Sequence, residues 1–174
     1  VIDVGGGAST LVDDLVGLGF RHVTVLDVSS SALDVARERL GNLGSGVTWV
    51  TSNVLSADLA ASSCDVWHDR AVLHFLTEEA DCGRYVAHLR AAVKPGGVVI
   101  LATFAPDGPE RCSGLPVVRY SAEDVGRLIG NEFTLMEARR HEHRTPGGAL
   151  QRFTYARFVR SLAVGDVCRV QRGG

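Results

Sequence analysis

No run of apolar residues approaches the roughly 20 that a membrane-spanning helix needs. The longest, residues 98–102, ends at Thr103, so the chain is expected to be soluble. Cysteine is sparse and scattered: Cys64, Cys82, Cys112 and Cys168 form no CxxC pair and no close Cys/His spacing, which argues against a structural zinc site. A chain of 174 residues can build a core without disulfide staples, so reduced thiols in the cytoplasm are expected. Lysine is nearly missing; of 18 basic residues only Lys94 is one, a bias without a chemical reading and attributed to genome composition. Net charge is -2, which excludes a wholesale polyanion binder. Neither a secretory signal nor a transit peptide is present, and the first residues already read as a strand without an initiating Met. An upstream segment, with whatever function it carries, is therefore expected.

What is present is an alternation of apolar runs and helical periods, the pattern of a parallel sheet covered by helices. Strands are predicted at 1–4, 22–26, 47–51, 65–68 and 98–104. Between them, Leu11, Leu15 and Leu18 share one helix face, as do Leu33, Ala36 and Leu40 behind the caps Ser29 and Ser31. A third helix starts at Thr77 with Glu78 and Glu79 and must end near Lys94-Pro95-Gly96-Gly97. Residues 105–120, with three prolines, form an irregular stretch that is a candidate substrate loop. Ser121 to Asp124 is a capping-box variant that opens a short helix ending at Gly130. Residues 133–143 and 151–160 are strand-like with only a short turn between them, so they must be an antiparallel hairpin. The prediction is one α/β domain over 1–160, a doubly wound, three-layer Rossmann-like sheet of about seven strands, mostly parallel with one reversed, and a tail over 161–174.

Asp3-Val-Gly5-Gly6-Gly7-Ala-Ser9 lies between the first strand and its helix, where glycine permits a tight turn and close approach of a ligand to the backbone. Open α/β sheets bind ligands beyond the carboxyl ends of their strands, at the switch point beside the first. Asp27 ends the second strand, where a carboxylate can accept from a ribose diol. A dinucleotide loop wants a third glycine, but Thr10 stands there, and no Gly-Lys-Ser/Thr follows for a nucleotide triphosphate loop. Asp3, two residues before the first glycine, suits a ligand carrying an ammonium or sulfonium group rather than phosphates.

These residues resemble the class I S-adenosylmethionine (SAM) dependent methyltransferases. The family's first motif is acid-x-Gly-x-Gly-x-Gly; Asp3, Gly5 and Gly7 match it, and Ser9 replaces the last glycine. The segment from Trp49 to Asn53 and Val54 is similar to the one that reads the adenine, with Asn53 where the family often has Asp. The run from Cys64 through His68, Asp69 and Arg70 to His74 and Phe75 resembles the fourth motif, and Val93-Lys-Pro-Gly-Gly the turn before the fifth strand. The resemblance covers about 1–104. It implies SAM as cofactor, S-adenosylhomocysteine (SAH) as product and no metal, with Asp3, Gly5, Gly6, Gly7, Asp27, Val28, Asn53, Val54, Asp69 and Arg70 as the binding set. A nicotinamide-dependent oxidoreductase and a non-catalytic SAM-binding partner subunit are the rival readings.

Methyl transfer is an in-line displacement, so the enzyme must position the acceptor and, where needed, remove a proton. Candidate catalytic residues are His68, Asp69, His74 and Cys112, the last in the irregular loop beside Arg111, which could lower its pKa. Arg70, His74, Cys112 and His143 are candidate acceptor contacts. Asp69 and Arg70 could instead form a structural ion pair. Eight arginines from Arg139 onward make the C-terminal part locally basic, but no aromatic stacking series accompanies them. Neither the Asn/Asp-Pro-Pro-Tyr/Phe segment of amino-methylating nucleic-acid enzymes nor the Pro-Cys of cytosine-C5 enzymes is present. A small-molecule acceptor is expected rather than nucleic acid, with the protein a monomer or homodimer.

Overall fold

The computed structural model describes residues 1–145 and 147–162. The first strand, β1 (Ile2–Val4), is buried at every position, as a strand covered on both faces must be. After it come α1 (Leu11–Gly17), β2 (Val23–Asp27), α2 (Ser30–Leu40) and β3 (Val47–Thr51). The Ser29 hydroxyl caps α2 by accepting the Ala32 N–H, and Gly41, at φ +52°, ends it.

Next, β4 (Cys64–Arg70) leads through a 3-10 turn (Leu73–Phe75) into α3 (Glu79–Ala92). The buried residues of α3, Cys82, Tyr85, Val86, Leu89 and Ala92, recur at helical spacing and define the face laid on the sheet. Then β5 (Val93–Phe104) begins five residues earlier than predicted. The Lys94–Gly97 turn is real but sits inside the strand: pairing jumps from Cys64–Val93 to Val66–Val98, and Gly96 takes φ +77°. The predicted fourth strand also extends, because Asp69 and Arg70 continue in register with Leu101 and Ala102.

The irregular stretch contains a small hairpin, β6 (Arg111–Cys112) with β7 (Leu115–Pro116), turned through Ser113 and Gly114 at positive φ. The Ser121/Asp124 capping box opens α4 (Ala122–Ile129) as predicted. The chain closes with β8 (Phe133–Arg144) and β9 (Leu150–Arg160). Among the described residues, seven strands form one sheet in the order β3-β2-β1-β4-β5-β9-β8, and of these only β9 runs against the rest. Most of the tail predicted over 161–174 lies outside the described residues.

Two cores flank the sheet. Trp67, Tyr85, Leu89, Leu101 and Phe158 fill the layer under α3 and α4, while Val12, Val23, Val25, Leu33 and Ala36 fill the layer under α1 and α2. The switch of sides occurs at β1 and β4, which places the site at their carboxyl ends.

Candidate functional site

The glycine turn after β1 is shaped by contacts that a side chain would destroy. Gly5 adopts φ +70°, its N–H donates to the Leu26 carbonyl at 2.7 Å, and a Cβ there would stand 2.1 Å from Val72 Cγ2. A Cβ on Gly6 would meet Asp3 Oδ2 at 2.6 Å and Val25 Cγ1 at 2.5 Å. The turn is thereby wedged between the end of β2 and the segment that follows β4.

Two cavities open on either side of it. The larger, about 660 Å³, has Asp3, His68, Arg70, Cys112, Phe153 and Tyr155 in its wall. The smaller, about 320 Å³, includes Asp27, Val28, Asn53, Val54, Val72 and Phe75. Gly5, Arg70 and Ala71 line both, so the two meet at the turn. Ala71 holds φ +71°, a conformation uncommon for a residue with a Cβ, at the point where the chain leaves β4 between the cavities.

In the smaller cavity Asp27 stands at the end of β2. Its Oδ1 accepts the Ser29 N–H at 2.8 Å, and its Oδ2 faces the Gly7 turn, 3.2 Å from where a Cβ would lie. Asn53 Oδ1 accepts the Leu55 N–H at 2.9 Å, which fixes the side chain in a local turn and leaves its amide NH2 without a described partner. Val54 is buried and Val28 exposed, giving the cavity an apolar floor and an open rim. In the larger cavity, Asp3 Oδ1 and His68 Nδ1 are 2.7 Å apart. Phe153 and Tyr155, two apart on β9, supply an aromatic wall.

Asp69 and His74 stand apart from both cavities. Asp69, 1% exposed, turns to the α3 side and accepts from the Val72 N–H (2.8 Å), the Leu73 N–H (3.0 Å) and the Tyr85 hydroxyl (2.6 Å). Tyr85 in turn accepts from Trp67 Nε1 at 3.1 Å. Burial pushes the Asp69 carboxyl up to about 6 against these hydrogen bonds, which favour the charged form. It is a fastener of the turn after β4, and the ion pair with Arg70 considered above does not form, because neighbouring residues of a strand point to opposite faces. His74 is 0% exposed, packed against Phe75 and Phe104, and burial drives its pKa down to about 4. Its Nδ1 accepts the Phe104 N–H at 3.4 Å, and its Nε2 has no partner among the described residues.

Cys112 does reach the larger cavity, but Arg111 turns away from it and donates twice to the Gly114 carbonyl, at 3.1 and 2.6 Å. His143 pairs with Gln151 across the hairpin and does not line the cavity, whereas Gln151 does. Sequence reasoning missed Tyr85, Ala71 and Gln151. Only the last had a usable signal, the period of two that it shares with Phe153 and Tyr155.

Comparison with known proteins finds relatives among the methyltransferases. A sequence model of the family described as "Methyltransferase domain" matches residues 1–97, more than half of the chain. A release factor glutamine methyltransferase of Deinococcus radiodurans is 29% identical over 153 residues, 76% of this chain and 55% of that protein. A methyltransferase of Claviceps purpurea is 33% identical over 105 residues, 60% of this chain and 31% of that one. The chain thus spans about half, or less, of the length of these relatives. Among solved structures, the 1,6-didemethyltoxoflavin-N1-methyltransferase of Burkholderia thailandensis, with bound 1,6-didemethyltoxoflavin and SAH, superposes with a TM-score of 0.72 at 22% identity, covering 92% of this chain and 70% of that one. The fold, the glycine turn wedged at its switch point and the match over residues 1–97 lead to one conclusion: this chain belongs to the methyltransferase-domain family.

Proposed function

We propose that residues 1–160 bind SAM across the two joined cavities and transfer its methyl group to a small-molecule acceptor, leaving SAH. The observation that carries this reading is the confluence of the cavities at Gly5, with a carboxylate at the end of β2 on one side and an acceptor-sized space on the other. The group fits: the Gly5 and Gly6 positions tolerate no side chain, so backbone lines the junction, and Asp27 keeps Oδ2 toward the glycine turn where a ribose diol can donate to it. Val54, Val72 and Phe75 offer apolar surface for a base, and the free amide of Asn53 can donate to a ring nitrogen. When bound, SAM supplies an electrophilic methyl on a sulfonium; the chain's own task is to hold, orient and desolvate.

Support for a small acceptor comes from the C-terminal hairpin. All but Arg144 of its arginines are engaged with acids, among them Arg140 with Asp107, Arg152 with Glu142 at 3.0 Å, Arg157 with Glu137 at 3.5 Å and Arg160 with Glu132 at 3.4 Å. Such pairing leaves little net positive charge for a phosphate backbone. No helix of the described residues is long and apolar enough to cross a membrane, and the thiols of Cys64, Cys82 and Cys112 are free, as suits a reducing cytoplasm.

Calorimetric titration with SAM, SAH, NADH and NADPH tests the cofactor. Binding of the first two alone is the expected result, and Asp27→Ala should weaken SAH by about 1 to 3 kcal/mol through loss of a buried hydrogen-bond partner. Binding of a nicotinamide cofactor alone would replace this reading with the oxidoreductase one. SAM binding without turnover of methyl-labelled SAM across acceptor panels would favour a non-catalytic partner subunit.

A further inference from the structure

Asp3 and His68 face each other across β1 and β4, which pair in parallel with these two residues in register. The 2.7 Å contact joins Asp3 Oδ1 to His68 Nδ1. A carboxylate can only accept, so Nδ1 carries the hydrogen, and in a neutral ring Nε2 is then a bare lone pair. The surroundings leave that lone pair to the cavity: the His68 side chain is 17% exposed, lines the larger cavity, and has no described partner on Nε2. Asp3 is a fixed support. Its side chain is 4% exposed, and Gly6 leaves room for Oδ2 where any Cβ would collide with it.

We propose that Asp3 and His68 form a carboxylate–imidazole dyad in which His68 Nε2 is the general base of the transfer, and that the acceptor is one that must shed a proton: a hydroxyl, a thiol or a ring N–H. The inference rests on the SAM reading above. A lone pair of the acceptor atom forms the new bond to the methyl carbon, and the sulfur keeps the pair of the broken S–C bond. The acceptor's proton passes to Nε2, leaving its bonding pair on the acceptor. The imidazolium so formed lies against the Asp3 carboxylate, which stabilises it and holds the ring in the tautomer that can accept. His74 cannot take this part, being sealed from both cavities. Positioned bases of this kind contribute about 10²- to 10⁴-fold in rate.

The test needs no knowledge of the acceptor. In protein labelled with ¹⁵N-histidine, with His68→Gln to assign the signal, the His68 ring at mildly alkaline pH should carry its proton on Nδ1 and none on Nε2. Asp3→Asn should abolish that preference; if that variant does not fold, the wild-type spectrum alone decides. Diethyl pyrocarbonate, which acylates bare accessible imidazole nitrogens, should label the peptide carrying His68, leave His74 unlabelled, and label His68 more slowly when SAH is bound. SAH binding together with an Nε2–H tautomer, or with an unreactive His68, overturns the dyad and leaves the SAM reading standing. Absence of SAH binding removes the SAM reading and the base assignment with it, whatever the tautomer.

Discussion

The two faces of β4 divide the molecule's labour. Trp67 and Asp69 point into the layer under α3, where every polar atom they carry is engaged and nothing touches solvent. His68 and Arg70, one residue on in each case, point into the cavities, where they keep nitrogens free of protein partners. A strand gives its residues alternately to two environments, so a run of four consecutive polar or aromatic residues is two different sets. One face holds the turn after β4 in place, and the other uses the space that the turn encloses.

The largest effect expected comes from the buried face. Asp69→Ala leaves two backbone N–H groups and the Tyr85 hydroxyl without an acceptor in a layer that water does not reach, at a cost of about 3 to 5 kcal/mol. Urea denaturation should show this loss, or outright failure to fold, whereas Arg70→Ala, which removes no partner of any group among the described residues, should cost below about 0.5 kcal/mol. Equal costs for the two neighbours would mean that the division between faces is wrong.

A second test separates two of the buried titratable groups, Asp69 and His74. Asp69 has its pKa raised from 3.8 to about 6, so the folded state keeps a proton that the unfolded chain has released. Its contribution is complete below 3.8 and is lost as pH rises through about 6. His74 is lowered from 6.5 to about 4, so its contribution is complete above 6.5 and is lost as pH falls through about 4. Each amounts to about 3 kcal/mol, and in the wild type the two oppose one another across the same window. Asp69→Asn should therefore make stability rise with pH between about 4 and 6.5, and His74→Gln should make it fall. Urea midpoints measured across that window in the three proteins check the signs; identical profiles would remove both groups from the account.

The same contrast explains what could be read from the sequence. Asp3, the glycine turn, Asp27 and Asn53 are adjacent in the chain to the strand ends that place them, so local pattern sufficed to bring them to the cavities. Cys112 was legible for a similar reason, since prolines and glycines around it marked a loop. Asp69, expected at the cofactor and in the chemistry, and His74, expected in the chemistry and at the acceptor, lie away from both cavities, because a period of two does not say which face is the open one. That depends on Tyr85, 16 residues further along on α3, and on Phe104 in β5, neither of which signals its partner in the sequence. The pairing of Asp3 with His68 spans 65 residues and follows only from the register of β1 against β4.

The smallest effect expected lies on the open face, at Arg70. Its side chain is exposed, lines both cavities, and makes no hydrogen bond or ion pair among the described residues. Removing it strands no partner, so Arg70→Ala should leave stability within about 0.5 kcal/mol of the wild type. Its value is for binding: a free guanidinium at the junction can meet the carboxylate of the methionine part of SAM or an anionic acceptor, in a water-accessible place where such a contact is worth about 1 kcal/mol. SAH affinity should fall about fivefold in Arg70→Ala and less in Arg70→Lys, which keeps the charge but loses the fork. Unchanged SAH affinity in both variants, read by calorimetry, would assign Arg70 to the acceptor side of the junction. A loss of stability instead would place it with Asp69, and the separation of the two faces would fail at the residue where the cavities meet.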